Sequence, residues 1–264
     1  MTKVIAITNQ KGGVGKTTTS VSLSAALASR GLRILLIDLD PQGNATMGSG
    51  VDKNNLENSV CELLLNRASY REVIQNCSEA GYDLLPSNGA LTEAEVGLVG
   101  GNQSETRLKK ALAPEKSVYD YVIIDCAPSL NMLTINALAA ADTVLIPMQC
   151  EYYALEGLSA LVGTIEGIKK NLNPNLSIEG ILRTMYDPRN SLTKEVSAQL
   201  NLHFPGQVYN TVIPRNIRLA EAPSHGLPII HYDKKSRGAL AYLTLAAELM
   251  RKNEKNSSSK TGTP

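Results

Sequence analysis

Lys11-Gly12-Gly13-Val14-Gly15-Lys16-Thr17-Thr18 is the stretch of this 264-residue chain on which the fold turns. Ahead of it, residues 3–8 form a short β-branched run; behind it, residues 16–30 read as a helix that stops at Gly31. A glycine-rich loop between strand and helix lets backbone N–H groups turn inward around phosphate oxygens, and the helix N-terminus adds its positive dipole end. Gly12, Gly13, Val14 and Gly15 are therefore the candidate cradle, with Thr18 closing the same nucleotide-binding run. Lys16 is placed to reach the β- and γ-phosphates, and the Thr17 hydroxyl to ligate Mg²⁺. A glycine turn that merely joins strand to helix is the competing reading. Strand, Gly-Lys-Thr-Thr and helix all falling in register favours the phosphate loop.

Working outward, Arg33-Ile34-Leu35-Leu36-Ile37-Asp38 is a continuous apolar run without alternation, the pattern of a parallel strand buried on both faces. Residues 121–125 and 143–147 repeat that pattern, and residues 178–185 and 208–213 read as later strands. Helices are expected at about 56–66, 104–113, 130–141, 154–171, 191–203 and 236–252. Strands alternating with helices predict an α/β fold with a doubly wound, mainly parallel sheet and helices on both faces. Residues 1–252 are expected to form a single ATPase domain, followed by a disordered polar tail at 253–264. That tail is read from residues 251–264, which hold no apolar aliphatic or aromatic side chain.

Two carboxylate segments follow buried strands, where open α/β sheets place their ligand crevice. Asp38-Leu39-Asp40-Pro41-Gln42-Gly43-Asn44 follows the second strand. Its two aspartates are expected to point to alternate sides and to take different tasks; a solvated turn is the competing reading. Tyr121-Val122-Ile123-Ile124-Asp125 is a hydrophobic strand ending in an acid. Asp125 there is expected to hold Mg²⁺ through water and to sense the γ-phosphate.

The phosphate loop departs from the common G-x-x-x-x-G-K-[ST] pattern: Gln10 stands where glycine is expected, and a second lysine, Lys11, opens the loop. In this it resembles the deviant Walker A ATPases, the ParA/MinD group, over nearly the whole chain. The resemblance implies that Lys11 reaches across an ATP-sandwiched homodimer to the partner's phosphates. It also implies that Asp40 orients the attacking water, that Asp38 supports the metal region through water, and that Pro214 and Asn216 grip adenine. Without it, Pro214-Arg215-Asn216 reads as loop punctuation. Residues 9–13, 40–46, 147–157 and 213–216 resemble the chromosome-partitioning, Soj-type subgroup most closely. That resemblance implies slow ATP hydrolysis, non-specific binding of double-stranded DNA by the ATP-bound dimer, and release stimulated by a ParB-type centromere-binding partner.

Rival readings are weighed by what they require. A MinD-like cell-division ATPase acting at the membrane is the alternative; it needs an amphipathic C-terminal helix, and residues 251–264 have no apolar face. The nitrogenase iron protein needs paired cluster-ligating cysteines, and Cys126 directly after Asp125 is at the wrong offset. Large plasmid partition ATPases carry a DNA-reading domain ahead of the loop, for which Lys11 leaves no room. A metabolic P-loop ligase needs a substrate site; His203, His225 and His231 are isolated.

Composition agrees with a reducing, cytoplasmic setting without membrane attachment, and the resemblance implies association with the nucleoid. Cys61, Cys77, Cys126 and Cys150 are scattered, no leader pattern opens the sequence, and no apolar run reaches membrane-spanning length. The absence of Trp and the single Phe argue against a base-stacking platform for single strands. A net charge of +1 hides an asymmetry: residues 1–179 hold 14 Lys/Arg against 19 Asp/Glu, and residues 180–252 hold 10 against 5. Within that basic third, the resemblance implies DNA contacts from Arg189 and Arg218; ordinary solvated charge is the competing reading.

Overall fold

The computed structural model describes residues 2–101 and 103–260, the last five of these by backbone alone. Among the described residues eight strands form one sheet: β1 (Lys3–Ile7), β2 (Ile34–Leu39), β3 (Gln75–Cys77), β4 (Tyr82–Leu85), β5 (Tyr121–Cys126), β6 (Thr143–Gln149), β7 (Ser177–Tyr186) and β8 (Val208–Pro214). Their order is β3-β4-β2-β5-β1-β6-β7-β8. Every pairing is parallel except that of β3 with β4, at one edge.

The continuous apolar runs separate by parity into two cores. Val4 and Ala6 of β1, Leu35 and Ile37 of β2, and Val122 and Ile124 of β5 pack on one face with helices Met132–Ala140 and Ala154–Asn171. Ile5, Ile7, Leu36 and Ile123 pack on the other with helices Lys16–Ala28 and Arg237–Lys260. Burial on both faces is what a doubly wound sheet demands of its central strands. Because β5 lies between β1 and β2, the loops leaving those three strands meet at one edge. Ile7, Asp125 and Asp38 sit level across it.

Local chemistry moves several boundaries. The expected helix at 56–66 is confined to Val60–Leu64, started by a capping box in which Ser59 and Glu62 bond reciprocally. The expected helix at 104–113 splits into a 3₁₀ turn at Ser104–Thr106 and a helix at Arg107–Leu112. The tail is corrected too: the final helix runs on through Lys260, and only residues 261–264 of the expected disordered segment lie outside the described residues. Lys252 anchors the start of that extension. Its ammonium bonds the Glu179 carbonyl and lies 5.0 Å over the Tyr209 ring, so packing sustains a turn that composition alone does not favour.

Candidate functional site

The phosphate loop is held in shape from outside. Thr184 Oγ1 on β7 donates to the Val14 carbonyl at 2.8 Å, Asn9 Nδ2 donates to the Pro147 carbonyl at 2.8 Å, and the Lys11 N–H donates to Asn9 Oδ1 at 3.0 Å. Gly15 enters the helix Lys16–Ala28 with φ +86°, a left-handed conformation that suits glycine. The Lys16 side chain is buried and its Nζ donates to the Lys11 carbonyl at 3.1 Å. Burial lowers its pKa; the nearby Asp125, Cys126 and Asp40 oppose that shift.

Asp125, next to last in β5, is fully buried beneath the loop. Ser20 Oγ donates to its Oδ1 at 2.8 Å, while Oδ2 is buried and has no hydrogen-bond partner among the described residues. Burial and then the Asp38 carboxylate push its pKa up, against the Ser20 and Thr17 hydroxyls. A buried, unpartnered carboxylate oxygen is costly. A hydrated cation beside Thr17 relieves that cost, so the donor set here fits Mg²⁺ held by one hydroxyl, one carboxylate and nucleotide oxygens.

Asp38 behaves differently from expectation. Positions two apart in a strand share a face, so Asp38 and Asp40 do not divide by alternation; they divide because β2 ends at Leu39. Asp38 is buried and spends both oxygens on the following loop. Oδ1 accepts from the Asp40 N–H at 3.2 Å, and Oδ2 from both the N–H and hydroxyl of Thr46 at 2.8 Å. Asp38 therefore anchors the loop, and it is Asp125 that keeps an oxygen open. Asp40 lines the cleft with Lys16 and Thr17, and its Oδ1 accepts from the Gln42 N–H at 2.9 Å. Ser87 locks this loop from β4's side, donating from Oγ to the Asp40 carbonyl and from N–H to Thr46 Oγ1. Gly43 is obligatory there: a Cβ would lie 2.7 Å from the Ser87 carbonyl.

Together these elements enclose a cleft of about 640 Å³ lined by Gly12, Gly13, Gly15, Lys16, Thr17 and Asp40. Gly15, Thr18 and Met185 also wall a neighbouring cavity of about 200 Å³, which Pro214, Asn216 and Tyr242 complete. One elongated ligand can span both. Asn216 Oδ1 is occupied as the cap of helix Ile217–Glu221, accepting from the Arg218 N–H at 2.9 Å, so the amide nitrogen is the group it can offer as a donor to the cavity. Lys11 is engaged by Glu151 of the same chain in an ion pair.

A family model described as an AAA domain matches residues 2–178. The sporulation initiation inhibitor protein Soj of Bacillus subtilis is 55% identical over 249 residues, covering 94% of this chain and 98% of its own. The chromosome partitioning protein ParA of Myxococcus xanthus is 51% identical over 251 residues, covering 95% and 89%. The chain belongs to the ParA/Soj family of chromosome-partitioning ATPases. Among solved structures, cobyrinic acid a,c-diamide synthase from Mycobacterium smegmatis, with bound ADP and magnesium, matches with a TM-score of 0.86 at 39% identity, covering 97% of each chain.

For a ParA/Soj ATPase, the basic C-terminal third holds a surprise. Arg189 is exposed but chelated by Asp187 at 2.7 and 2.9 Å, and Arg218 bonds Glu221 at 2.8 Å with Asp233 at 3.6 Å. The two arginines singled out for DNA are thus both ion-paired within the chain. Sequence reasoning also passed over Ser20, Thr46 and Ser87, whose task is to satisfy buried carboxylates and carbonyls. Among the described residues no helix is long and apolar enough to cross a membrane.

Proposed function

We propose that this ParA/Soj ATPase is an ATP-dependent dimerising switch. The ATP-bound dimer binds double-stranded DNA without sequence preference. Slow hydrolysis, stimulated by a ParB-type centromere-binding partner, returns ADP-bound monomers to solution. The buried Asp125 Oδ2, unpartnered beside Thr17 and under Lys16, is the observation that carries the nucleotide half of this reading. Lys16 contacts the β- and γ-phosphates, Gly12, Gly13, Val14, Gly15 and Thr18 supply backbone and side-chain donors, and Asp40 orients the attacking water. Thr17 and Asp125 would hold Mg²⁺, which would supply charge neutralisation to the phosphates. Pro214 and Asn216 receive the base. Lys11 leaves Glu151 to meet the partner's phosphates, so the ion pair is exchanged when the dimer forms.

The decisive experiment measures ATP turnover with Mg²⁺ alone, with duplex DNA, and with DNA plus a ParB-type protein. Turnover is expected to rise at each addition. The likeness to a chain named a diamide synthase favours one second reading, an amide-forming ligase. Turnover that requires a carboxylic metabolite and ignores DNA would establish it instead. The MinD-like membrane reading is tested by sedimentation with anionic liposomes and ATP, which should leave the protein in the supernatant.

A further inference from the structure

Two glycines join the Asp40 loop to the wall of the base cavity. Gly50 lies just beyond the helix Asn44–Gly48 with φ +84°, and Gly226 ends the 3₁₀ turn Ala222–His225 with φ +64°. Their backbones touch. A Cβ on Gly226 would lie 3.1 Å from Gly50 Cα, and one on Gly50 would lie 3.1 Å from the Gly226 carbonyl oxygen. Left-handed backbone and close approach both call for glycine on each side of this seam. Beside it is a hollow of about 420 Å³, walled largely by apolar side chains that include Val21, Met47, Leu219, Leu227 and Ile229. The helix Asn44–Gly48 therefore borders open space along one side, while the chain leaving it rests on Gly226.

On the far side of the seam, the turn at 222–225 continues the helix Ile217–Glu221. Tyr232 makes one body of them: its hydroxyl donates to Glu221 Oε2 at 3.1 Å, and its ring stacks on His225 at 4.8 Å. Asn216 caps that helix, and Leu219 walls both the base cavity and the hollow. A Cβ on Gly238 would lie 2.6 Å from Leu219 Cγ, so Leu219 is backed against the final helix and cannot retreat into it. On the near side, Asp38 bonds both Thr46 and the Asp40 N–H, which ties the helix Asn44–Gly48 to Asp40. Close-packed elements compress little, so a displacement at one end of such a chain is felt at the other. We propose that the Gly50–Gly226 seam is a positioning contact through which an occupied base cavity sets Asp40, so that hydrolysis, and not binding alone, depends on the base. The inference rests on the reading that Asn216 receives the base and Asp40 orients water, and it adds the route between them.

The test compares two saturating ligands on the full chain with Mg²⁺: ATP, and ribose-5-triphosphate, which keeps sugar and phosphates and lacks the base. Amide hydrogen exchange over residues 41–50 is read by mass spectrometry, at times shorter than one turnover. In the parent, ATP should slow this exchange several-fold more than the base-free ligand does. In Gly226→Ala and Gly50→Ala the two ligands should give the same exchange. ATP affinity in these variants should match the parent, while kcat for ATP falls on the order of 10- to 100-fold, the cost of a slightly misplaced catalytic group. Gly206→Ala is the control for backbone strain: Gly206 has φ +73° with nothing within 4 Å, so its variant should keep the parental difference. Equal exchange with both ligands in the parent would overturn the seam while nucleotide binding stands, and that comparison needs no variant to fold. Variants at 50 and 226 that keep the parental difference would overturn it too. So would ATP affinity falling in step with kcat, since that marks a merely structural contact. If the parent binds neither ligand, the nucleotide site falls as well.

Discussion

Lys16 and Asp40 face each other across the phosphate cleft, and their substitutions should separate binding from turnover. Lys16→Ala removes one charge-assisted contact, worth roughly 1.5–3 kcal/mol. ATP affinity is expected to fall about 10- to 100-fold, read by titration with a labelled nucleotide; parental affinity would remove Lys16 from the phosphate site. Asp40→Ala should bind ATP as its parent does and lose turnover by about 10²- to 10⁴-fold, the usual contribution of a group that positions or deprotonates a nucleophile. Asp40→Asn keeps the acceptor for the Gln42 N–H, so if it turns over as slowly as the alanine variant, the defect lies in the chemistry and not in the turn. Thr46 acts one step further out. Thr46→Val leaves Asp38 Oδ2 with one donor fewer and strips Ser87 N–H of its acceptor. That should cost about 1–3 kcal/mol in urea unfolding, and an unchanged midpoint would mean the loop lock is idle.

Elements differ in how plainly the sequence announces them. The runs at 33–38, 121–125 and 143–147 are continuous and apolar, and each is a central strand buried on both faces. The helices at 154–171 and 191–203 have the expected bounds because their apolar faces are regular. β3 and β4 went unanticipated: at three and four residues they are too short to show a period, and Gln75 and Asn76 are exposed polar residues. The helix Asn44–Gly48 is likewise too short to leave a periodic trace; it follows the left-handed Gly43. At the site, the residue types of the phosphate loop and the two strand-end acids were legible, since phosphate and Mg²⁺ chemistry constrains them directly. Which acid keeps a free oxygen was not, because it depends on Ser20 and Thr46, brought close only by packing. The final helix yields a prediction at this scale. Deleting residues 251–264 removes the Lys252 contacts to Glu179 and Tyr209 and should lower the thermal midpoint by about 2–4 °C, for a loss near 1 kcal/mol. ATP turnover should be unaffected; a loss of turnover would assign the tail a part in the site.

For the whole molecule, the proposed switch links nucleotide, dimer and DNA through one edge of the sheet. Along it lie the phosphate cleft, the cavity that Pro214 and Asn216 complete, and a recess lined by Arg189 and Arg237, joined by Gly15, Met185, Pro214 and Arg215. Met185, at the joint, holds a left-handed φ of +48° although it is not glycine, the kind of strained conformation that persists where surrounding structure enforces it. Linkage requires that a state preferred by ATP and by DNA be stabilised by either. The most direct measurement is sedimentation velocity of the Asp40→Ala protein with labelled duplex, comparing saturating Mg²⁺-ATP with Mg²⁺-ADP. A switch of this kind gives dimers that co-sediment with DNA in ATP and free monomers in ADP. The same mass and the same bound DNA in both nucleotides would contradict it.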